Sequence, residues 1–274
     1  MKSKWLILFL VLGLVMVACG GSDTAEEVVE VAEEPAEELE SPATTAAPTT
    51  TAGPTASIGM VYDIGGRGDL SFNDMAYAGL ERAINELGVD GVDLEPSEGG
   101  ENRAELLGLL AEQGKDLIIG VGFLFADSIT EVATANEGVN FGIVDSVVEP
   151  GNVAGMVFTE HEGSFLVGVA AGLKTTTKQV GFIGGVEFPL IQKFEAGFVA
   201  GVKAVNPDIE IDIKYATVPP DFGGFNLPDK GKEIALAQYE AGADIIYHAA
   251  GGTGAGLFEA AKEVSESTGS NVWA

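Results

Sequence analysis

The chain has 274 residues, of which 46% are hydrophobic, and its 14 Lys+Arg against 42 Asp+Glu give a net charge of −28. That length supports one large domain or two smaller lobes with real cores. The acidity excludes a nucleic-acid surface and electrostatic attachment to anionic lipid, and one Cys beside two His excludes a disulfide framework or a Cys/His zinc site.

Two lysines in residues 1–4 precede an apolar run of thirteen residues, 5–17. The run is too short to span a bilayer, which takes about 20 residues, and reads as a secretory signal. It ends Met16-Val17-Ala18-Cys19-Gly20. This ending resembles a bacterial lipobox, so residues 1–19 are expected to be a lipoprotein signal with Cys19 as the lipidated residue. The mature protein would then sit outside the cytoplasmic membrane, held by acyl chains rather than by a spanning helix. Residues 20–57 carry Asp23, eight glutamates and a Pro/Thr/Ala-rich stretch with no basic residue. Such a composition cannot bury enough apolar surface to offset ordering entropy, so a disordered tether is expected.

Beyond residue 57 one unit recurs: a short β-rich run, a Gly/Asp/Ser turn, then an amphipathic stretch. Strands are expected at 58–63, 92–95, 117–121, 141–144 and 153–158, then at 180–184, 209–215, 245–248 and 272–273. Helices are expected at 73–87, 102–113, 127–136, 165–173, 191–205, 230–241 and 256–267. Near-continuous apolar runs such as Leu117-Ile118-Ile119 suit strands covered on both faces by helices. Strands alternating with helices of this length imply parallel α/β sheets.

Nine strands exceed the usual sheet of about five or six, and the pattern restarts at Val180. The reading is therefore two-lobed, with an N-terminal lobe at 58–160 and a C-terminal lobe at 161–274. The polar stretch Glu160-His161-Glu162-Gly163-Ser164 is the expected crossing between them. Residues 271–274 read as a strand only just begun, so the second lobe is expected to be truncated at its C-terminal end.

Ligands in open parallel sheets bind beyond the carboxyl ends of strands, which directs attention to those turns. The first holds Asp63, Gly65, Gly66, Gly68, Asp69, Ser71, Phe72 and Asn73, with Ser71 or Asn73 expected to cap the following helix. The glycines there, and in Gly120-Val121-Gly122-Phe123, lack the dinucleotide spacing G-x-G-x-x-G. Asp145 ends the fourth strand at the edge of the presumed cleft. Gly251-Gly252-Thr253-Gly254 opens a helix whose free N–H groups would suit an oxygen-rich ligand, although tight turns use glycine anyway. Residues 168–175 lack the G-K-[ST] triplet of a P-loop. There is no G-x-S-x-G elbow, and His161 and His248 read as structural, having no neighbouring nucleophile. An enzyme is not indicated, and neither a cofactor nor a metal is expected.

Taken together, several motifs resemble the basic membrane protein (BMP) lipoproteins. They are Asp63…Gly65…Asp69-x-Ser71-Phe72-Asn73, Gly120-x-Gly122-Phe123, Asp145, Glu160-x-Glu162-Gly163-Ser164 and Gly184-Gly185-x-x-Phe188-Pro189. Phe194-Glu195-x-Gly197-Phe198, Lys230-Gly231-Lys232 and His248-Ala249-Ala250-Gly251-Gly252-Thr253-Gly254 complete the set, and the likeness runs from Ile58 to Ala274.

The resemblance implies a substrate-binding component of an ATP-binding-cassette importer with the type I periplasmic-binding-protein fold. It implies a purine nucleoside held between lobes by two aromatic rings. Phe72 matches one stacking position, and Phe225 is the best candidate for the other, with Phe222 competing. Asp63, Asn73 and Asp145 would then hydrogen-bond base or ribose, and Gly251 would contribute backbone. The family places a further ligand-contacting carboxylate and a lysine beyond Ala274. Hinge closure onto the ligand and docking of a monomer on permease subunits follow from the same likeness. A sugar or other small polar ligand on this scaffold, and a sensor or adhesion lipoprotein without transport, are the alternative readings. A nucleoside hydrolase is disfavoured because no aspartate cluster has calcium-ligand spacing.

Overall fold

The computed structural model describes residues 56–274 apart from Glu98. The expected signal, Cys19 and nearly all of the expected tether lie outside the described residues.

The first sheet comprises β1 (Ser57–Val61), β2 (Asp90–Leu94), β3 (Leu117–Gly120), β4 (Asn140–Val144) and β5 (Val153–Met156). These strands are all parallel, in the order β2-β1-β3-β4-β5. Helices α1 (Phe72–Leu87), α2 (Arg103–Glu112) and α3 (Ala126–Ala135) connect them. The second sheet is β6 (Gln179–Val186), β7 (Glu210–Thr217) and β8 (Ile245–Ala249), parallel in the order β7-β6-β8. Around it lie α4 (Glu160–Lys174), α5 (Pro189–Val205), α6 (Pro228–Glu240) and α7 (Thr253–Thr268). Among the described residues no helix is long and apolar enough to cross a membrane.

Strand alternation explains how both faces of the first sheet are covered. Met60 and Tyr62 point one way, into a cluster with Leu80 of α1 and Val121. Val61 between them points the other way, against Leu107 and Leu110 of α2 and Phe125 and Ile129. A period of two along the strand thus supplies two apolar faces, each needing its own helices. The second sheet repeats this: Phe182 packs with Phe198 and Val202 of α5, and Ile183 packs with Leu257 and Ala260 of α7.

The second lobe rests on unusually close helix pairs. A Cβ at Gly168 of α4 would run into the Phe198 carbonyl of α5, and one at Gly201 of α5 into the Phe165 carbonyl of α4. The glycine-rich 168–175 stretch is therefore a helix interface, which explains its glycines without any phosphate. Gly256 of α7 likewise meets the Pro228 carbonyl at the start of α6.

Four expectations need correction. Strand β1 starts at Ser57, inside the expected tether, because Ser57 N and Oγ both donate to Asp116 Oδ2, at 2.7 and 2.8 Å. Residues 160–164 are the first turn of α4, not the crossing; the crossing is the irregular run 157–159. Polarity misled there, since that turn exposes one side and buries only Glu160 and Ser164. Residues 272–273 make an isolated bridge from Trp273 to Ile245 rather than a strand. Asp69, not Ser71 or Asn73, caps α1, its carboxylate accepting from Ser71 N (2.9 Å), Asn73 N (2.9 Å) and Asp74 N (3.1 Å).

Candidate functional site

The strand order turns at β1, whose successors lie on opposite sides, β2 on one and β3 on the other. In such sheets a crevice opens outside the carboxyl ends of the strands at that point. Asp63 follows β1 there, Gly122 and Phe123 follow β3, and Asp145 follows β4. From the second lobe come Leu190, Ile191 and Phe194 of α5, Phe225, and residues 247–251 at the end of β8. Together they enclose a cleft of about 480 Å³ between the two sheets. That volume lies within the range of about 300–1,000 Å³ usual for small-molecule sites.

All six ligand-binding residues expected from sequence line this cleft: Asp63, Phe72, Asn73, Asp145, Phe225 and Gly251. Phe72 opens α1 and is half-buried against the cluster around Tyr62. Phe225 comes from the opposite lobe, in the short 3₁₀ turn Gly223–Phe225. Its rival Phe222 is not among the lining residues; its ring packs edgewise on Phe123 and Phe188, with centroids 6.0 and 5.7 Å away.

Several of these groups are already committed. Asp63 Oδ1 accepts from Ile64 N at 2.8 Å and from the Arg103 guanidinium at 3.1 Å. Burial raises the Asp63 carboxyl above its ordinary range, against the lowering effect of Ile64 N–H and Arg103. Asn73 Oδ1 accepts from Asp63 N at 3.0 Å and its Nδ2 donates to Ile64 O at 3.5 Å, so both ends of the amide tie the turn and one amide hydrogen is left for a ligand. The glycine turn behaves similarly: Thr253, Gly254 and Ala255 N–H groups donate to the carbonyls of Ala250, Gly251 and Gly252. The expected free N–H array at that helix start is therefore turned inward. Gly251 itself, at φ +52°, still borders the cleft.

Asp145 is the least committed carboxylate. Its backbone sits at φ +64°, and its N–H donates to Met156 O at 2.8 Å. Burial first, then Glu160 and Asp63, push its carboxyl up to about 6, with Lys193 opposing.

Sequence reasoning missed part of the wall. His248 borders the cleft with its ring edgewise to Phe258 at 5.3 Å, and burial lowers its imidazole below the ordinary value. Leu190, Ile191 and Phe194 were missed because they are apolar residues of α5, which a sequence reads as core; the strand-end rule alone pointed there. The lining offers aromatic faces, apolar surface and the acceptors Asp63, Asp69 and Asp145, with no Lys or Arg. Among the described residues no group of His, Cys, Asp and Glu could hold a metal ion.

Two parallel α/β sheets joined with a cleft at their strand ends form the type I fold shared by periplasmic solute-binding proteins. A solved solute-binding protein of an ABC transporter system from Aeropyrum pernix superimposes with a TM-score of 0.69 at 32% identity, covering 78% of this chain and 60% of that one.

The chain belongs to the Bmp family of PnrA-like ABC transporter substrate-binding proteins, whose model matches residues 56–272. It is 42% identical over 219 residues to the CD4+ T-cell-stimulating antigen of Listeria monocytogenes, covering 78% of this chain and 60% of that protein. It is 38% identical to the ABC transporter nucleoside-binding protein BmpA of Lactococcus lactis, covering 78% and 61%. The chain thus spans about 60% of the length of these relatives. The family is one of binding proteins, not enzymes.

Proposed function

We propose that this protein captures a purine nucleoside on the extracytoplasmic side of the membrane and delivers it to an ABC permease. The observation that carries this reading is the composition of the cleft, where Phe72 and Phe225 enter from opposite lobes beside carboxylate acceptors. A base stacked on an aromatic ring gains about 1–3 kcal/mol irrespective of its identity. Choice of purine then falls to polar edges: Asp145 accepts from ring or exocyclic N–H, and Asp63 and the Asn73 amide face base or ribose. The nucleoside-binding relative in Lactococcus supports the ligand class. Capture proceeds by closure about the 157–159 crossing, driven by the ligand's higher affinity for the closed state. A monomer lipidated at Cys19 would present that closed form to the permease.

A thermal-shift and calorimetry screen with nucleosides, free bases, sugars and amino acids tests the reading. A ligand that binds only the folded state raises the midpoint by mass action, and a micromolar binder at millimolar concentration does so clearly. Shifts with adenosine, guanosine or inosine are expected. Shifts with sugars alone, or with nothing in the panel, overturn it.

A further inference from the structure

The second lobe's share of the cleft wall is apolar except at Tyr247 and His248, near the end of β8. Tyr247 is committed, its hydroxyl lying 3.2 Å from Ser164 Oγ of α4. Among the described residues, His248 is therefore the one lining side chain of this lobe with a polar group still to pair. Its ring is held in place. Gly254 of α7 makes room for it, since a Cβ there would fall on the imidazole, and Phe258 meets it edgewise. Nδ1 is buried without a hydrogen-bond partner. Nε2 also makes no hydrogen bond within the protein but is not buried, so it is the open end of the ring.

A neutral imidazole carries one N–H and one bare lone pair. Burial favours that neutral form here, against the opposing effect of Asp69. Orphaned buried N–H groups are rarer in folded proteins than unsatisfied acceptors, so the proton belongs on Nε2 and the lone pair on the buried Nδ1. His248 thus adds a donor to a cleft whose carboxylates, when ionised, only accept. The other lining side chains with a free donor, Ser71 and Asn73, belong to the first lobe. Purine ring nitrogens such as N3 and N7 are acceptors only. No ionised carboxylate can pair with them, and one left unpaired in a closed cleft weakens binding.

We propose, resting on the nucleoside reading above, that His248 is a ligand-contacting specificity residue whose Nε2–H donates to a purine ring nitrogen, N3 or N7, as the second lobe closes. A contact made from this lobe forms only on closure, so it adds to the differential affinity that drives closure.

Inosine dissociation constants are measured by calorimetry for wild type, His248→Leu, His248→Gln and His248→Asn, with melting midpoints to report folding. A Gln amide reaches the position of Nε2, an Asn amide only that of Nδ1. His248→Leu and His248→Asn should bind about tenfold more weakly, as suits one lost hydrogen bond, and His248→Gln should stay within about threefold of wild type. The analogues 3-deazainosine and 7-deazainosine each lack one ring acceptor. One of the two should lose about tenfold on wild type and nothing further on His248→Leu. Wild-type affinity in His248→Leu, no rescue by Gln, or an analogue loss that is absent or persists in His248→Leu overturns the inference and leaves the nucleoside reading standing. If no nucleoside binds wild type, the nucleoside reading fails and the role of His248 falls with it. Should the variants not fold, NMR of the wild-type imidazole nitrogens decides. A protonated Nε2 whose signal moves when inosine binds is expected; a proton on Nδ1, or an Nε2 signal indifferent to inosine, overturns the assignment.

Discussion

Phe123 of the first lobe lies face to face with Phe188 of the second, with ring centroids 4.9 Å apart and planes inclined by 9°. Phe225, a candidate stacking residue, meets the same Phe123 ring edgewise at 6.2 Å. The two lobes therefore touch through aromatic rings beside the cleft, and Phe225 is held by that contact before any ligand arrives. Aromatic pairs of this geometry couple by about 0.5–1.5 kcal/mol beyond their buried area. A double-mutant cycle of Phe123→Leu and Phe188→Leu in denaturant unfolding should return a coupling of that size. Additive single-mutant effects would mean that the stack holds nothing together.

Phe72 is packed on one side against the Tyr62 cluster and open to the cleft on the other. Phe72→Ala is therefore expected to weaken purine nucleoside binding at least tenfold, within the range set by loss of one stacking face. The helix keeps its cap, because Asp69 supplies it. Calorimetry and the melting midpoint separate the two effects. Unchanged affinity removes Phe72 from the site.

Charge supplies a sharper discrimination. The cleft wall carries Asp63, Asp69 and Asp145 and no Lys or Arg. A phosphate group brought there would meet carboxylates, with the Arg103 guanidinium already paired to Asp63, in a space shielded from water. Adenosine 5′-monophosphate should bind at least a hundredfold more weakly than adenosine, measured by competition. Equal affinity would place the 5′ end of the ligand in open solvent rather than in the cleft.

How far the sequence announced this molecule can be read from where its signals were local. The alternation of Met60, Val61 and Tyr62 is a property of the strand itself, so the α/β pattern and the placement of Asp63, Asp145 and Gly251 at strand ends were legible. The commitments of those groups were not. That Asn73 turns its carbonyl back to Asp63 N, or that Arg103 reaches Asp63 from forty residues away, depends on tertiary contacts that no spacing encodes. The crossing was misplaced for a related reason. Glu160 reads as a loop residue by polarity, yet it starts a helix because α4 buries its other side against α5. Phe123 and Phe188 are legible as aromatics near turns, but only the closing of two lobes makes them partners.

The glycines of α4 and α5 offer a test of the second lobe alone. Gly201→Ala would place a methyl group against the Phe165 carbonyl, and backbone cannot yield as a flexible side chain does. Overpacking of this kind costs about 1–3 kcal/mol or more, against the fraction of a kilocalorie that alanine gains in helix propensity. Urea unfolding should show destabilisation of that size. A neutral or stabilised variant would show that the two helices can separate freely.

The last expectation concerns stability and pH in the absence of ligand. Folding raises the Asp145 carboxyl from its ordinary 3.8 to about 6, chiefly by burial and next by Glu160 and Asp63. The folded state therefore binds this proton more tightly than the unfolded state, and stability from this group is full below 3.8 and lost as pH rises through 6. The whole shift would correspond to about 3 kcal/mol, and solvent reaching the carboxyl reduces this to about 1–2 kcal/mol. Asp145→Asn carries no such proton, so its stability lacks that decline. The variant should gain on wild type as pH climbs between 3.8 and 6, and keep a constant advantage above that window. For a domain of this size the gain corresponds to roughly 2–8 °C in melting midpoint. Parallel pH profiles for the two proteins would mean that Asp145 titrates like an exposed carboxylate.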